Sequence, residues 1–149
     1  MATTRQQPSQ VDVRGPRFGA WITTVVLAIV LVTGWWPLLA GQAVVFAIGA
    51  FAGLRHAPYG LVFRYLVAPR LGPVLEREDE APPRFAQGVG VVFAAVGVLG
   101  YASGLTALGL VATALALVAA LLNAAVGFCL GCETYLLLRR AGVPAFGRG

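Results

Sequence analysis

The stretch that decides the fold is residues 85–132, FAQGVGVVFAAVGVLGYASGLTALGLVATALALVAALLNAAVGFCLGC, which holds no charged residue in 48 positions. As one continuous helix it would measure about 72 Å, more than twice the hydrocarbon core of a bilayer, which is about 30 Å thick. The chain must therefore turn back on itself, and Ser103-Gly104 is the predicted turn. The stretch predicts two membrane spans, near residues 85–103 and 105–127.

A second uncharged stretch, residues 18–54, has 37 residues and also exceeds one span. The predicted break is Gly34-Trp35-Trp36-Pro37, because proline disfavours helix at the preceding residue and tryptophan prefers the headgroup region. This break gives spans near residues 18–34 and 38–54. The expected fold is an all-α membrane protein with four transmembrane helices arranged as two hairpins.

Composition supports a membrane protein and excludes an ordinary soluble one. Hydrophobic residues make up 58% of the chain and charged residues 11%, against about 45 to 50% and about 25% in soluble domains. The lipid bilayer is therefore the expected surrounding. The arginines form no basic patch interleaved with exposed aromatics, so no nucleic-acid partner is expected. We expect one membrane domain over residues 18–142, between tails 1–17 and 143–149.

The charges also predict the orientation of the chain. Residues 1–17, 55–84 and 133–149 carry net charges of +2, +1 and +2, whereas the turns between paired spans carry none. By the positive-inside rule, both termini and the loop 55–84 are cytoplasmic in a multi-pass plasma-membrane protein. A cleaved signal peptide is the rival interpretation of the N-terminal region, but the apolar stretch continues to residue 54 and further spans follow.

The loop 55–84 is not uniform. Residues 57–71, APYGLVFRYLVAPRL, are too short to span and are interrupted by arginines, which predicts a cytoplasmic interfacial helix. The acidic cluster EREDE at 76–80 is interpreted as solvated loop rather than as a metal or docking site. Within the spans, Gln42 and Asn123 are predicted to make interhelical hydrogen bonds.

The two uncharged stretches begin alike, with Pro16-Arg17-Phe18 and Pro83-Arg84-Phe85. An uncharged break follows each start about twenty residues later. This pattern fits a parallel repeat of one helical hairpin, although three matching residues can also arise by chance.

The candidate catalytic residues are Cys129 and Cys132, the chain's only cysteines. A C-x-x-C pair places two thiols one helical turn apart, a separation that a disulfide accepts, and one thiolate can resolve a mixed disulfide on the other. A permanent structural disulfide is not expected at a cytoplasmic face. Two alternatives are a metal site and a purely structural pair. A closed zinc site needs four ligands, so His56 and Glu133 would have to complete it, whereas a soft ion such as Cu(I) accepts the two thiolates alone.

Reactivity depends on whether the last span is broken before the cysteines. An unbroken helix would leave the thiols near a C-terminal end, where the helix dipole disfavours thiolate. A break at Gly127 or Gly131 would give them an N-terminal position instead, with Glu133 in the first turn and Arg139 and Arg140 in the last. We favour the broken helix. Cys132 is then the predicted attacking thiol if the new helix begins there, and otherwise Cys129.

No other catalytic pattern is present, because the chain has no lysine for a phosphate-binding loop, no metalloprotease motif and no nucleophile elbow. We expect a component of a dithiol oxidoreductase or sulfur relay rather than a self-contained enzyme, and we predict no cofactor. A soft-metal transporter and a non-catalytic scaffold subunit are the alternatives.

Four segments carry a family resemblance: VDVRGPRFGAW, APYGLVFRYLV, EREDEAPPRFAQGVG and GFCLGCETYLLLRR. Together they resemble a family of small bacterial, notably actinobacterial, integral membrane proteins known as domain of unknown function 4395. The family's F-C-x-G-C element is matched by Phe128, Cys129, Gly131 and Cys132. The resemblance implies no established activity. It suggests a soluble thioredoxin-like or sulfurtransferase partner, and a second copy of the chain is a further candidate partner.

Overall fold

A computed structural model describes residues 10–74 and 76–142, so the predicted C-terminal tail and most of the N-terminal tail lie outside the described residues. Helices account for 82% of the structure, which confirms the all-α class. The elements in chain order are β1 Gln10–Asp12, α1 Arg14–Thr33, α2 Trp36–Ala47 with a π-helical turn Ile48–Ala52, a 3-10 turn Leu54–His56, α3 Pro58–Val62 with a π-helical turn Phe63–Val67, α4 Ala68–Leu71, β2 Arg77–Asp79, α5 Ala81–Ala102, α6 Thr106–Val126 and α7 Leu130–Arg140.

Three helices are long and apolar enough to cross a membrane: α1, α5 and α6. Only 22%, 17% and 22% of their most apolar windows are buried inside the protein, so most of their apolar surface faces outward, as lipid contact requires. The remaining apolar segment, Trp36–Ala52, is shorter. The chain is therefore compatible with a membrane protein, and the second of the four predicted crossings stays a prediction.

Helices pair differently from the two predicted hairpins. α5 packs along α6, but α1 packs mainly on α6, and α2 mainly on α5 rather than on α1. Glycines on α5 explain the contact of α2 with α5. Leu39 occupies the space that a side chain at Gly97 would need, and Phe46 occupies the space that a side chain at Gly90 would need. Leu27 and Val30 of α1 complete this core.

The starts of α1 and α5 meet the ends of α6 and α2 at one end of the helices, which we call the arginine end. Arg17 donates from Nε to the carbonyl of Ala124 and from Nη2 to that of Ala125, both at 3.1 Å. Arg84 donates from Nη2 to the carbonyls of Ala50 and Phe51, at 3.0 and 3.3 Å. Each guanidinium thus satisfies carbonyls at the end of a helix that have no partner within that helix.

These contacts are reciprocal, because each arginine binds the C-terminal end of the second helix in the half to which the other arginine belongs. The β ribbon has the same symmetry: its antiparallel register pairs Val11 with Glu78, which lie 67 residues apart, the same spacing that separates Arg17 from Arg84. The arginine contacts and the β ribbon are therefore related by an approximate two-fold rotation, although α5 packs along α6 more extensively than α1 packs on α2. This arrangement supports the predicted repeat over chance similarity.

In each half, the helical segment that follows the first two helices packs back onto the start of the first one. Phe63, in the first half, stacks on Phe18 with ring centroids 5.8 Å apart. Tyr135 of α7 stacks on Phe85 at 5.7 Å. The predicted interfacial helix 57–71 is confirmed as helical from Pro58 to Leu71, with a π-helical turn in its middle, and its position at a membrane interface stays a prediction.

The polar predictions have mixed outcomes. Gln42 is buried, donates to Thr23 Oγ1 at 3.5 Å and accepts from the Tyr59 hydroxyl at 2.6 Å, which confirms its interhelical role. Asn123 makes no side-chain hydrogen bond with any described residue, so its predicted role is wrong within that part of the chain. The solvated-loop interpretation of 76–80 is wrong in part, because residues 77–79 form β2 and Glu80 is buried.

Candidate dithiol site

The cysteine pair lies at the start of α7, after a sharp break in the chain. α6 ends at Val126, and Gly127 adopts φ 74°, a left-handed conformation that residues with a side chain rarely accept. Two residues later α7 begins, with Cys129 as its N-cap. The broken-helix prediction is therefore confirmed, with the break at Gly127 rather than Gly131.

The sulfur of Cys129 caps the start of α7. The backbone N–H of Cys132 donates to Cys129 Sγ at 3.2 Å, in the position where a serine or aspartate oxygen usually caps a helix. The carbonyl of Cys129 also accepts from the backbone N–H of Glu133 at 3.0 Å, so the residue's sulfur and main chain are both fixed. This geometry would stabilise a thiolate on Cys129, because the N–H and the positive end of the helix dipole both point to its sulfur.

The two sulfurs are joined in a disulfide, with the Cα atoms 5.1 Å apart. Both cysteines are half-buried, so neither is sealed inside the protein. The new helix begins at Leu130 and not at Cys132, and the capping hydrogen bond reaches Cys129. Because the new helix does not begin at Cys132, Cys129 stays the predicted attacking thiol.

The charges of α7 follow the helix dipole. Glu133 lies in its first turn, and Arg139 and Arg140 lie in its last, as the sequence predicts. The guanidinium of Arg139 lies 5.9 Å from the ring centroid of Tyr135. Glu133 is exposed, and its carboxylate interacts favourably with the positive end of the helix dipole.

Gly131 lets α7 sit directly on α5. A Cβ built on Gly131 would lie 2.5 Å from the Ala86 Cβ and 2.6 Å from the Ala86 Cα, distances that real side chains do not adopt. The Tyr135–Phe85 ring contact lies one turn further along α7, next to Ala86 on α5. Gly131 and this aromatic pair together hold the dithiol against the arginine end of α5.

Gly131→Ala is expected to destabilise the protein by about 1 to 3 kcal/mol, because even a methyl group here forces α7 away from α5. The matched control is Gly41→Ala on α2, where a Cβ would meet no atom within 4 Å, so its effect is expected to be neutral or slightly stabilising. Unfolding titrations of both variants in the same detergent check the difference. Equal stability of the two variants would contradict the close approach of α7 to α5.

The remaining candidate residues are not gathered around the sulfurs. Within residues 10–74 and 76–142, no group of three or more His, Cys, Asp and Glu side chains is placed to hold a metal ion. His56 lies in the 3-10 turn of the first half, and it is exposed. The predicted extension of a metal site by His56 or Glu133 is therefore wrong for the described residues.

Sequence reasoning missed two residues that shape the arginine end. Glu80 is buried, and its carboxylate accepts a hydrogen bond from the backbone N–H of Leu54 at 2.8 Å. Tyr59 reaches the buried Gln42, and burial raises the pKa of the Tyr59 hydroxyl. The signal for Glu80 was its place directly before Ala81-Pro82-Pro83, since the start of a helix favours an acidic residue.

Comparison with known proteins yields a family match. No curated protein and no solved structure matches the chain. A family model, described as a domain of unknown function (DUF4395), matches residues 11–140, which run from the β ribbon to the end of α7. The chain therefore belongs to the DUF4395 family.

Proposed function

We propose that the protein is a membrane-bound thiol-disulfide exchange component, in which Cys129 attacks and Cys132 resolves. The observation that carries the proposal is the hydrogen bond from the Cys132 backbone N–H to Cys129 Sγ at the start of α7. It favours a thiolate on the cysteine that comes first in the chain, and it places the second sulfur within bonding reach.

The exchange has two steps. The Cys129 thiolate attacks one sulfur of a partner's disulfide; a mixed disulfide forms, and the partner's other sulfur leaves as a thiolate that takes up a proton. The Cys132 thiol then loses its proton and attacks Cys129 Sγ, which expels the partner's first sulfur. The partner gains two electrons and is reduced, and the pair loses two electrons and closes as a disulfide. The reverse sequence oxidises a dithiol partner.

The proposed setting is a plasma-membrane protein with four crossings, cytoplasmic termini and the dithiol at its cytoplasmic face. Three long apolar helices support the membrane location. The nine arginines of residues 10–74 and 76–142 all lie in the segments at or beyond the arginine end, which supports placing that end in the cytoplasm. The proposed partner is a soluble thioredoxin-like or sulfurtransferase protein; with the latter, Cys129 would accept sulfane sulfur as a persulfide.

A redox titration tests the proposal. Purified protein is equilibrated in glutathione buffers of graded potential, and free thiols are counted by the mass shift on alkylation. We expect both thiols to disappear together in one two-electron transition with a midpoint above about −300 mV, since structural disulfides are reduced only at lower potentials. Cys129→Ser is the matched control, and its remaining thiol should form only a glutathione adduct.

Two results would contradict the proposal. A midpoint below about −300 mV would indicate a structural disulfide. A reduced pair that resists oxidation and binds Cu(I) tightly, with binding lost in both single serine variants, would favour the soft-metal alternative.

A further inference from the structure

A cavity of about 360 Å³ lies at the arginine end of the first half, between α1, the helical segment 58–71 and the β ribbon. This volume is at the lower end of the range of about 300 to 1,000 Å³ that is usual for small-molecule pockets. Its wall is mostly apolar, with Phe63 among the lining residues, and its polar lining includes Tyr59 and Gln87.

The cavity occupies the place that the dithiol has in the second half. Cys129 is the N-cap of α7, and Ala57 is the corresponding N-cap of α3; both have extended backbones. Three residues further on, Cys132 corresponds to Gly60, and Ala57 and Gly60 both line the cavity. Six residues after each N-cap, Phe63 and Tyr135 make the equivalent aromatic contacts. In the first half, Ala57 and Gly60 thus stand at the positions where the second half carries its two sulfurs, and the backbone of Leu54 approaches Gly60 so closely that a Cβ there would lie 2.5 Å from the Leu54 carbonyl oxygen.

Charge in this cavity is strongly biased towards arginine. Arg55, Arg64 and Arg77 line it, against a single carboxylate, Asp12. That carboxylate is already engaged, because Asp12 forms an ion pair with Arg14 at 2.8 Å. No carboxylate of the described residues lies within ion-pair distance of Arg55 or Arg77. Arg77 lies opposite Asp12 in the ribbon and interacts with its charge at longer range, but neither Arg77 nor Arg55 forms a direct ion pair among the described residues, so both guanidinium groups can bind an anion from outside the chain.

We propose that this cavity binds an anionic organic phosphate, with the phosphate held by Arg55 and Arg77 and the organic part packed against the wall that includes Ala57 and Phe63. The planar guanidinium donates two parallel hydrogen bonds to phosphate oxygens, which makes arginine well suited to this ligand. Basic pockets between membrane helices near the bilayer surface commonly bind phosphate headgroups. The ligand is either the headgroup of an anionic phospholipid or a soluble phosphate ester of the same chemistry.

Ligand-induced thermal stabilisation in a neutral detergent tests the proposal. The probes are phosphatidylglycerol, sn-glycerol 3-phosphate and, as a zwitterionic control, phosphatidylcholine. We expect a saturable rise in the unfolding temperature with phosphatidylglycerol or glycerol phosphate and none with phosphatidylcholine. Arg55→Gln and Arg77→Gln should each weaken binding about tenfold or more, because each removes charge-assisted hydrogen bonds.

Arg70→Gln is the matched control, because Arg70 is an exposed arginine of the same loop that does not line the cavity. The Arg70→Gln variant should bind the phosphate probes as tightly as the wild type. Ala57→Leu should abolish binding by filling the cavity. Stabilisation by phosphatidylglycerol alone identifies a lipid headgroup, and stabilisation by glycerol phosphate as well identifies a soluble ester. The proposal is overturned if neither probe stabilises the protein, or if the Arg55 and Arg77 variants respond like the wild type. None of these results depends on the cysteines.

Discussion

Cys132→Ser is expected to accumulate a mixed disulfide with a soluble protein in cells, and Cys129→Ser is expected to accumulate none. The capping hydrogen bond from the Cys132 backbone N–H reaches Cys129 Sγ, so Cys129 is the better thiolate. Serine at position 132 keeps that backbone donor but removes the sulfur that would expel the partner. The adduct on Cys129 then has no resolving thiol within the chain.

The measurement is a non-reducing gel of cells quenched in acid and alkylated, followed by mass spectrometry of the reductant-sensitive band. We expect at least ten times more adduct in Cys132→Ser than in Cys129→Ser. A tenfold ratio corresponds to a free-energy difference of about 1.4 kcal/mol in favour of attack by Cys129. The double serine variant is the control and should show no band. A band carried only by Cys129→Ser would reverse the roles of the two cysteines.

Absence of an adduct from both variants would contradict the exchange proposal itself. A packing role would then be tested by Cys129→Ala combined with Cys132→Ala. Replacing two small side chains that are not fully buried should change stability little if their role is chemical, and markedly if it is structural.

The helices and their breaks were predictable because the signals are local. Uncharged stretches longer than one bilayer crossing require turns, and Gly34 and Gly104 lie in the two predicted turns with positive φ values. The same logic predicted the restart of a helix at the cysteines, with Glu133 and Arg139 at the ends that suit the dipole. The choice of Gly127 over Gly131 for the break, and the start of the new helix at Leu130, came only from the structure.

The partners of each helix were not predictable in the same way. Pairing of α1 with α6 and of α2 with α5 depends on small residues meeting large ones across the bundle, such as Gly97 against Leu39. The burial of Glu80 depends on Leu54, 26 positions earlier in the chain. The repeated Pro-Arg-Phe was visible in the sequence, but which carbonyls each arginine would bind was not.

Arg17→Gln combined with Arg84→Gln is expected to destabilise the protein by about 3 to 6 kcal/mol, and each single substitution by about half of that. Each guanidinium makes one part-buried and one exposed contact with main-chain carbonyls at the end of a helix of the opposite half. The part-buried hydrogen bond contributes about 1.5 to 3 kcal/mol because it involves a charged group, and the exposed one contributes little. The two arginines are equivalent under the approximate two-fold rotation, so the single variants should lose similar amounts of stability.

Denaturant titration in detergent measures the loss, and hydrogen exchange locates it. Arg17→Gln should increase exchange in the last turn of α6, next to the dithiol, whereas Arg84→Gln should increase it near Ala50 and Phe51. Arg140→Gln, which removes an exposed arginine from the end of α7, is the control and should leave stability within about 0.5 kcal/mol of the wild type. If Arg17→Gln increased hydrogen exchange in its own half and not in α6, the assignment of Arg17 as a cap for the helix of the other half would be wrong. Only a contact between the halves transmits the change to α6, the helix that leads into Cys129.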